Sequence, residues 1–159
     1  MGLIYQINVK QKTPGQRGIP KMPVEEAELY TAGFQGDYNV YRTGWKLSTN
    51  KRAVLIMPKE TIEQLANEGW EVKPGDLGEN ISSQGISYEE LRIGTRIRAG
   101  RAIIEITEKA NPCKNLEVLP YIGKERVKEF MKTLLERRGM YAKVLQEGLV
   151  RKNDELTII

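Results

Sequence analysis

Apolar and polar positions alternate along this chain in short runs rather than long ones. Residues 3–10, 26–33, 53–57, 95–99, 102–107, 140–146 and 155–159 read as β-strands. The period of two is clearest at 95–99, where Arg96 and Arg98 share one face while Ile97 and Ala99 share the other. Gly100-Arg101 between two such runs predicts a tight hairpin with Gly at the first turn position, and Glu147-Gly148 predicts a second turn. Two stretches change to a helical period. Residues 59–67 follow Pro58, a good first-turn residue, place Ile62, Leu65 and Ala66 at i, i+3 and i+4, and stop at Gly69. Residues 124–138 carry the stripe Val127, Phe130, Met131, Leu134 and Leu135, with Arg137 and Arg138 complementing the C-terminal dipole and Gly139 as the stop. Residues 12–23 hold Pro14, Pro20, Pro23, Gly15 and Gly18, which predicts an exposed, mobile loop, and residues 33–38 and 41–50 also read as loops. Many short strands and few helices imply a mainly β fold, an antiparallel barrel or curled sheet rather than a doubly wound α/β sheet.

The length of 159 residues matches a single domain spanning 1–159 with enough core to need no staple. One cysteine, Cys113, excludes an internal disulfide and an all-cysteine zinc site. The absence of His excludes Ser-His-Asp and Cys-His nucleophile pairs, HExxH zinc sites and His general bases. No apolar run approaches the ~20 residues of a membrane span, so no membrane association is expected. Residues 3–9 read as a strand, not a signal peptide, and the location expected of such a chain is cytoplasmic. Charge is uneven: residues 1–80 carry ten basic and ten acidic side chains, and residues 81–159 carry fifteen and eleven. The mild positive surplus therefore sits in the second half, as a solvated surface or as a site for a polyanion.

Three segments could carry chemistry. Residues 36–52 interleave Tyr38, Tyr41 and Trp45 with Arg42, Lys46, Lys51 and Arg52, a ring to stack on and cations for phosphate, or an exposed loop with its aromatics tucked in. Residues 74–81, PGDLGENI, contain Gly75 and Gly78, which let backbone approach a ligand closely, and Asn80, which offers donor and acceptor; an Asp-Gly turn joining strands is the alternative. Cys113 follows Pro112 on a loop between Lys109 and Lys114, which would favour the thiolate; the alternative is a small buried hydrophobe.

In order along the chain, Gly33-Phe34-Gln35-Gly36-Asp37, Lys51-Arg52-Ala53-Val54, Gly75-Asp76-Leu77-Gly78-Glu79-Asn80-Ile81, the hairpin at 94–107, Pro112-Cys113, and Arg138-Gly139-Met140-Tyr141-Ala142-Lys143-Val144 with Gly148 and Asp154 resemble the motifs of the MOSC domain, named after the C-terminal part of molybdenum-cofactor sulfurases. The resemblance implies a β-barrel related to the pyruvate kinase barrel domain. It implies binding of a molybdenum cofactor (molybdopterin), or sulfur carried on the cysteine for metal–sulfur chemistry. Cys113 is then the persulfide carrier or molybdenum ligand, and Arg52, Asn80, Gly78, Lys114, Arg42 and Lys46 are candidate cofactor contacts. Many members carry His-Gly-Gly before the basic-Ala-Val entry; this chain reads Arg42-Thr43-Gly44-Trp45 there. It also lacks the aminotransferase-like domain that binds pyridoxal phosphate in full sulfurases, so that cofactor is not expected here. The sulfur donor is then a separate protein such as a cysteine desulfurase, and a molybdoenzyme is a candidate partner. Two rival readings stand beside this one: a barrel binding single-stranded nucleic acid through the Arg96/Arg98 face, and a molybdenum-dependent redox component acting on N-hydroxylated compounds.

Overall fold

A computed structural model describes residues 1–38 and 50–159. Its strands are β1 (Gly2–Val9), β2 (Met22–Val24), β3 (Glu26–Tyr30), β4 (Gly33–Phe34), β5 (Val54–Pro58), β6 (Ile81–Gln84), β7 (Arg96–Ala99), β8 (Ala102–Lys109), β9 (Met140–Gln146), β10 (Gly148–Arg151) and β11 (Glu155–Ile158). Its α-helices are α1 (Lys59–Asn67) and α2 (Gly123–Thr133), and a 3-10 turn occupies Lys114–Val118.

Strands β11, β7, β8, β9, β5, β6 and β1 pair in that order, and β1 pairs back onto β11, so seven strands close a barrel. Closure leaves no open edge on the ring. Strand β2 extends the sheet from the far end of β1, and β10, β3 and β4 form a separate three-stranded sheet. The β7–β8 hairpin turns at Gly100-Arg101 as expected, with Ala99 opposite Ala102 and φ 58° at Gly100. One pair departs from the antiparallel expectation: β5 and β6 run parallel. The reason is α1, which lies between them in sequence and makes the crossover that parallel strands require.

Two apolar cores follow from how β5 is placed. Val54 and Ile56 point into the barrel with Ile4, Ile7, Ile81, Ile97, Ile104 and Leu156. Met57 points outward into a second core, built by Ile62 and Leu65 of α1, Val127 and Phe130 of α2, and Trp70, Leu77 and Leu116 from the connections. The Trp70 and Phe130 rings meet at 4.7 Å between centroids. Strand β5 is therefore buried along its whole length, and its sequence VLIMP shows no alternation. Helix α2 ends at Thr133, five residues before the expected Arg138, because residues 134–137 continue as turns and Glu136 takes φ 69°.

Candidate functional site

Two of the family-like motifs, 33–37 and 75–81, meet each other, and their polar side chains bind there. Asp37 accepts hydrogen bonds from the Lys10 backbone N–H at 2.9 Å and the Lys21 ammonium at 2.8 Å. Its other carboxylate oxygen accepts from the Asn80 side-chain amide at 2.8 Å. The same amide nitrogen donates to the Asn8 carbonyl at 3.2 Å, and the Asn80 side-chain oxygen accepts from the Leu55 N–H at 3.1 Å. Asn80 is fully buried and ties β1, β5 and Asp37 together. The side chains of Lys21 and Asp37 are each 1% exposed. The 12–23 segment is thus not the uniformly exposed loop its prolines suggest. Lys21 is driven inside by its partner, and Met22–Val24 joins the sheet as β2.

The glycines of the 74–81 turn serve this same assembly. Gly75 sits at φ 95°, and a Cβ there would collide with the Lys21 carbonyl oxygen. The Lys21 N–H donates to the Gly75 carbonyl at 2.9 Å. A Cβ on Gly78 would lie 2.8 Å from the Ile19 side chain. The close backbone approach read from these glycines is filled by residues 19–21 of the chain itself. Glu79, wholly buried, accepts from the Gly75 N–H at 2.6 Å and the Ser82 hydroxyl at 2.9 Å, and burial pushes its carboxyl up from the ordinary range. Asp76, also buried and also pushed up by burial, accepts from the Tyr121 hydroxyl at 2.8 Å. Tyr121 is held un-ionised by burial and by that carboxylate. Sequence places Asp37, Asp76 and Glu79 inside the family-like motifs but gives none of them a role as a buried acceptor; each directly follows a glycine.

Cys113 is a free, partly exposed thiol. It precedes the 3-10 turn Lys114–Val118, where its carbonyl accepts from the Leu116 N–H at 3.2 Å. Lys114 beside it is exposed and has no ion pair among the described residues, whereas Lys109 is drawn away to Glu136. Arg52 pairs with Glu108, and its guanidinium lies 5.2 Å from the Tyr141 ring centroid. Arg42 and Lys46 lie outside the described residues, as do Tyr41 and Trp45. Cavities of about 650, 520, 330 and 240 Å³ are formed by described residues, and Cys113, Arg52 and Asn80 line none of these four. On the Arg96/Arg98 face, Arg96 is paired with Glu105 at 2.8 Å and Lys143 meets the same carboxylate at 3.0 Å, so one acid is shared between two bases. No group of three His, Cys, Asp or Glu side chains among the described residues could hold a metal by itself. No helix there is long and apolar enough to cross a membrane.

Comparison with known proteins gives the fold and motifs a family. The sequence is 26% identical over 148 residues to the uncharacterised protein YflK of Bacillus subtilis (strain 168), covering 91% of this chain and 64% of YflK. The crystal structure of YiiM from Geobacillus stearothermophilus superposes with a TM-score of 0.75 at 24% identity, covering 100% of this chain and 75% of that one. YuaD from Bacillus subtilis superposes with a TM-score of 0.79 at 18% identity, covering 98% and 93%. At those identities the structural likeness establishes the fold alone. The family model of the MOSC domain matches residues 41–157. The chain belongs to the MOSC domain family.

Proposed function

We propose that this protein binds a molybdenum cofactor of the pterin type, with Cys113 either ligating the metal or carrying sulfur toward it. The observation that carries the reading is the state of Cys113 in a chain of this family: a free thiol, partly exposed, on a Pro112 loop, followed in sequence by the exposed Lys114. The donor set fits such a group. The described residues offer one thiol and no three-ligand cluster of His, Cys, Asp or Glu, so a metal held here must bring its remaining ligands with it, as a pterin dithiolene does. When bound, the cofactor supplies the metal centre at which sulfur or electrons are exchanged.

The chain's own groups then have separate tasks. Arg52, with Arg42 and Lys46, supplies guanidinium and ammonium groups for a phosphate. Asn80 and Gly78 act at one remove, since the Asn80 amide fixes Asp37 and Gly78 seats Ile19. A cysteine desulfurase or a molybdoenzyme is the partner that sulfur carriage would require. The test is to purify the protein from cells supplied with molybdate and assay metal and pterin. Near-stoichiometric molybdenum that falls at least about tenfold in Cys113→Ser supports the proposal. Finding no bound cofactor and no cysteine-dependent sulfur uptake from a desulfurase overturns it. Turnover of an N-hydroxylated compound with an electron donor would assign the bound metal to redox chemistry instead of sulfur delivery.

A further inference from the structure

Residues 10–21 cross from β1 to β2 as a strap laid over the 3-10 turn that follows Cys113. Arg17 at the strap's tip hydrogen-bonds Asn115 and lies 3.6 Å from the Glu117 carboxylate. At its far end the strap is held by Lys21, buried against Asp37. Between strap and turn lies a cavity of about 520 Å³. That volume is within the range of small-molecule sites, which are mostly apolar with a few placed polar groups.

The lining has this character. Ile19, Pro20, Met22 and Val118 supply apolar wall, and Lys10, Gln16 and Arg17 supply polar groups. Met22 is 62% exposed and Val118 38% exposed, so folding leaves much of this wall uncovered. No carboxylate lines the cavity, whereas four glutamates line the larger 650 Å³ groove and two acids line the 330 Å³ one. The Lys10 ammonium donates to the Gln16 side-chain oxygen at 2.7 Å, and to the Gln11 carbonyl and Thr13 hydroxyl at 3.3 Å each. All three acceptors are neutral, so these bonds orient the ammonium without cancelling its charge.

We propose that this cavity binds a small amphipathic organic anion, a carboxylate carried on an apolar body, with the carboxylate at Lys10 and Arg17 and the apolar body against Ile19, Pro20, Met22 and Val118. Charge decides against a cation: no acid lines the cavity, and although Arg17 shares its charge with Glu117, the Lys10 ammonium meets only neutral acceptors. The apolar wall decides against a bare inorganic anion, which would leave that surface wet. The site uses no atom of Cys113, so it stands or falls independently of the molybdenum reading.

The test is an amide NMR titration of the full chain with octanoate, octylammonium, acetate and inorganic phosphate. Octanoate is expected to shift the signals of residues 15–22 and Val118. Octylammonium, acetate and phosphate are each expected to bind at least about tenfold more weakly, having lost the charge-assisted contact or the apolar one. Lys10→Gln is expected to weaken octanoate about tenfold. Since Lys10 also orders the strap, Met22→Glu serves as the second variant: it leaves the Lys10 bonds in place, puts a negative charge on an exposed wall position, and is expected to abolish binding. Equal affinity for octanoate and octylammonium overturns the proposal. So does phosphate binding as tight as octanoate, octanoate shifts mapping away from the strap, octanoate binding unchanged in Met22→Glu, or no shift at all.

Discussion

Asn80 shows how much of this fold rests on single polar atoms. Its amide reaches Asp37 and Asn8, and its oxygen holds the Leu55 N–H. Asn80→Ala would take one hydrogen-bond partner from each of those groups and is expected to lower the unfolding free energy by about 2–5 kcal/mol in a denaturant melt. Asn80→Asp keeps the volume, yet it turns a donor into an acceptor 2.8 Å from the Asp37 carboxylate. It is expected to be the worse of the two at neutral pH. Its deficit should shrink as pH is lowered and the new carboxyl regains a proton; an Asn80→Asp protein as stable as wild type at pH 7 would remove Asn80 from this structural role. Gly75 is the second such position. Gly75→Ala combines φ 95° with a collision against a backbone oxygen that cannot swing away, whereas Gly36 sits at φ 77° with open space around it. Gly75→Ala is expected to cost at least about 3 kcal/mol and Gly36→Ala about 1–2 kcal/mol, so that their difference reads the collision alone. These residues could be picked out in the sequence as unusual, but not their partners. An amide and two glycines point equally to a ligand or to a distant strand of the same chain, and only coordinates bring residues 8, 21, 37 and 80 together.

At the level of elements, the sequence was legible wherever one face meets water. Strands β1, β7, β8 and β9 and helix α1 stand where the period of two or of 3.6 puts them. Strand β5 could be read only as an apolar run, being buried on both faces. Strand β6, ISSQ, escaped because Ser82 and Ser83 are buried polar residues that break the alternation. Helix α2 was read too long because Leu134 and Leu135 continue the helical stripe; Leu134 is buried in the second core although the α-helix has already ended. The Asp76–Tyr121 hydrogen bond fastens the 74–80 turn to the segment between the 3-10 turn and α2, and it carries a proton-linked signature. Burial holds the Asp76 carboxyl above its ordinary value of 3.8. The folded protein therefore binds that proton more tightly than the unfolded chain does. The resulting stabilisation is complete below the ordinary value and is lost as pH rises through the raised one. Asp76→Asn keeps an acceptor for Tyr121 and carries no proton equilibrium. The variant's melting temperature relative to wild type is expected to be higher at neutral pH than at about pH 3.5; parallel curves would show that Asp76 is hydrated in the folded state.

For the whole molecule, short strands with few helices were enough to indicate a barrel, and the parallel β5–β6 pair was the part that pattern could not supply. The candidate site was legible only as a set of motifs. Cys113 stands on its loop as read, but the candidate basic groups Arg52, Lys109 and Lys114 divide among Glu108, Glu136 and solvent, because each long side chain finds whichever carboxylate the fold brings near. The closed ring also sets how the molecule should open. Its seam is short: β1 and β11 share the register pairs Gly2 with Leu156 and Leu3 with Glu155. Counting edges would assign easy local opening to the three-stranded sheet of β10, β3 and β4, which lies outside the ring. Burial argues the reverse. Leu29, Phe34 and Val150 of that sheet belong to the same apolar cluster as Ile4, Ile97 and Leu156 inside the barrel, so lifting the sheet would wet the core itself. Strand β2 is tied more weakly: Val24 packs against the cluster while partly buried, and Met22 and Pro23 are exposed. In native-state hydrogen exchange, amides of β3 and β10 are expected to share the denaturant dependence of β8 and β9, the signature of global unfolding, while β2 and the strap exchange with little dependence. A flat response in β3 and β10 would mean that the small sheet detaches from an intact barrel, and Leu29→Ala would then have to destabilise the barrel strands far less than Ile104→Ala. On the packing described, the two substitutions are expected to cost alike, each about 2–5 kcal/mol.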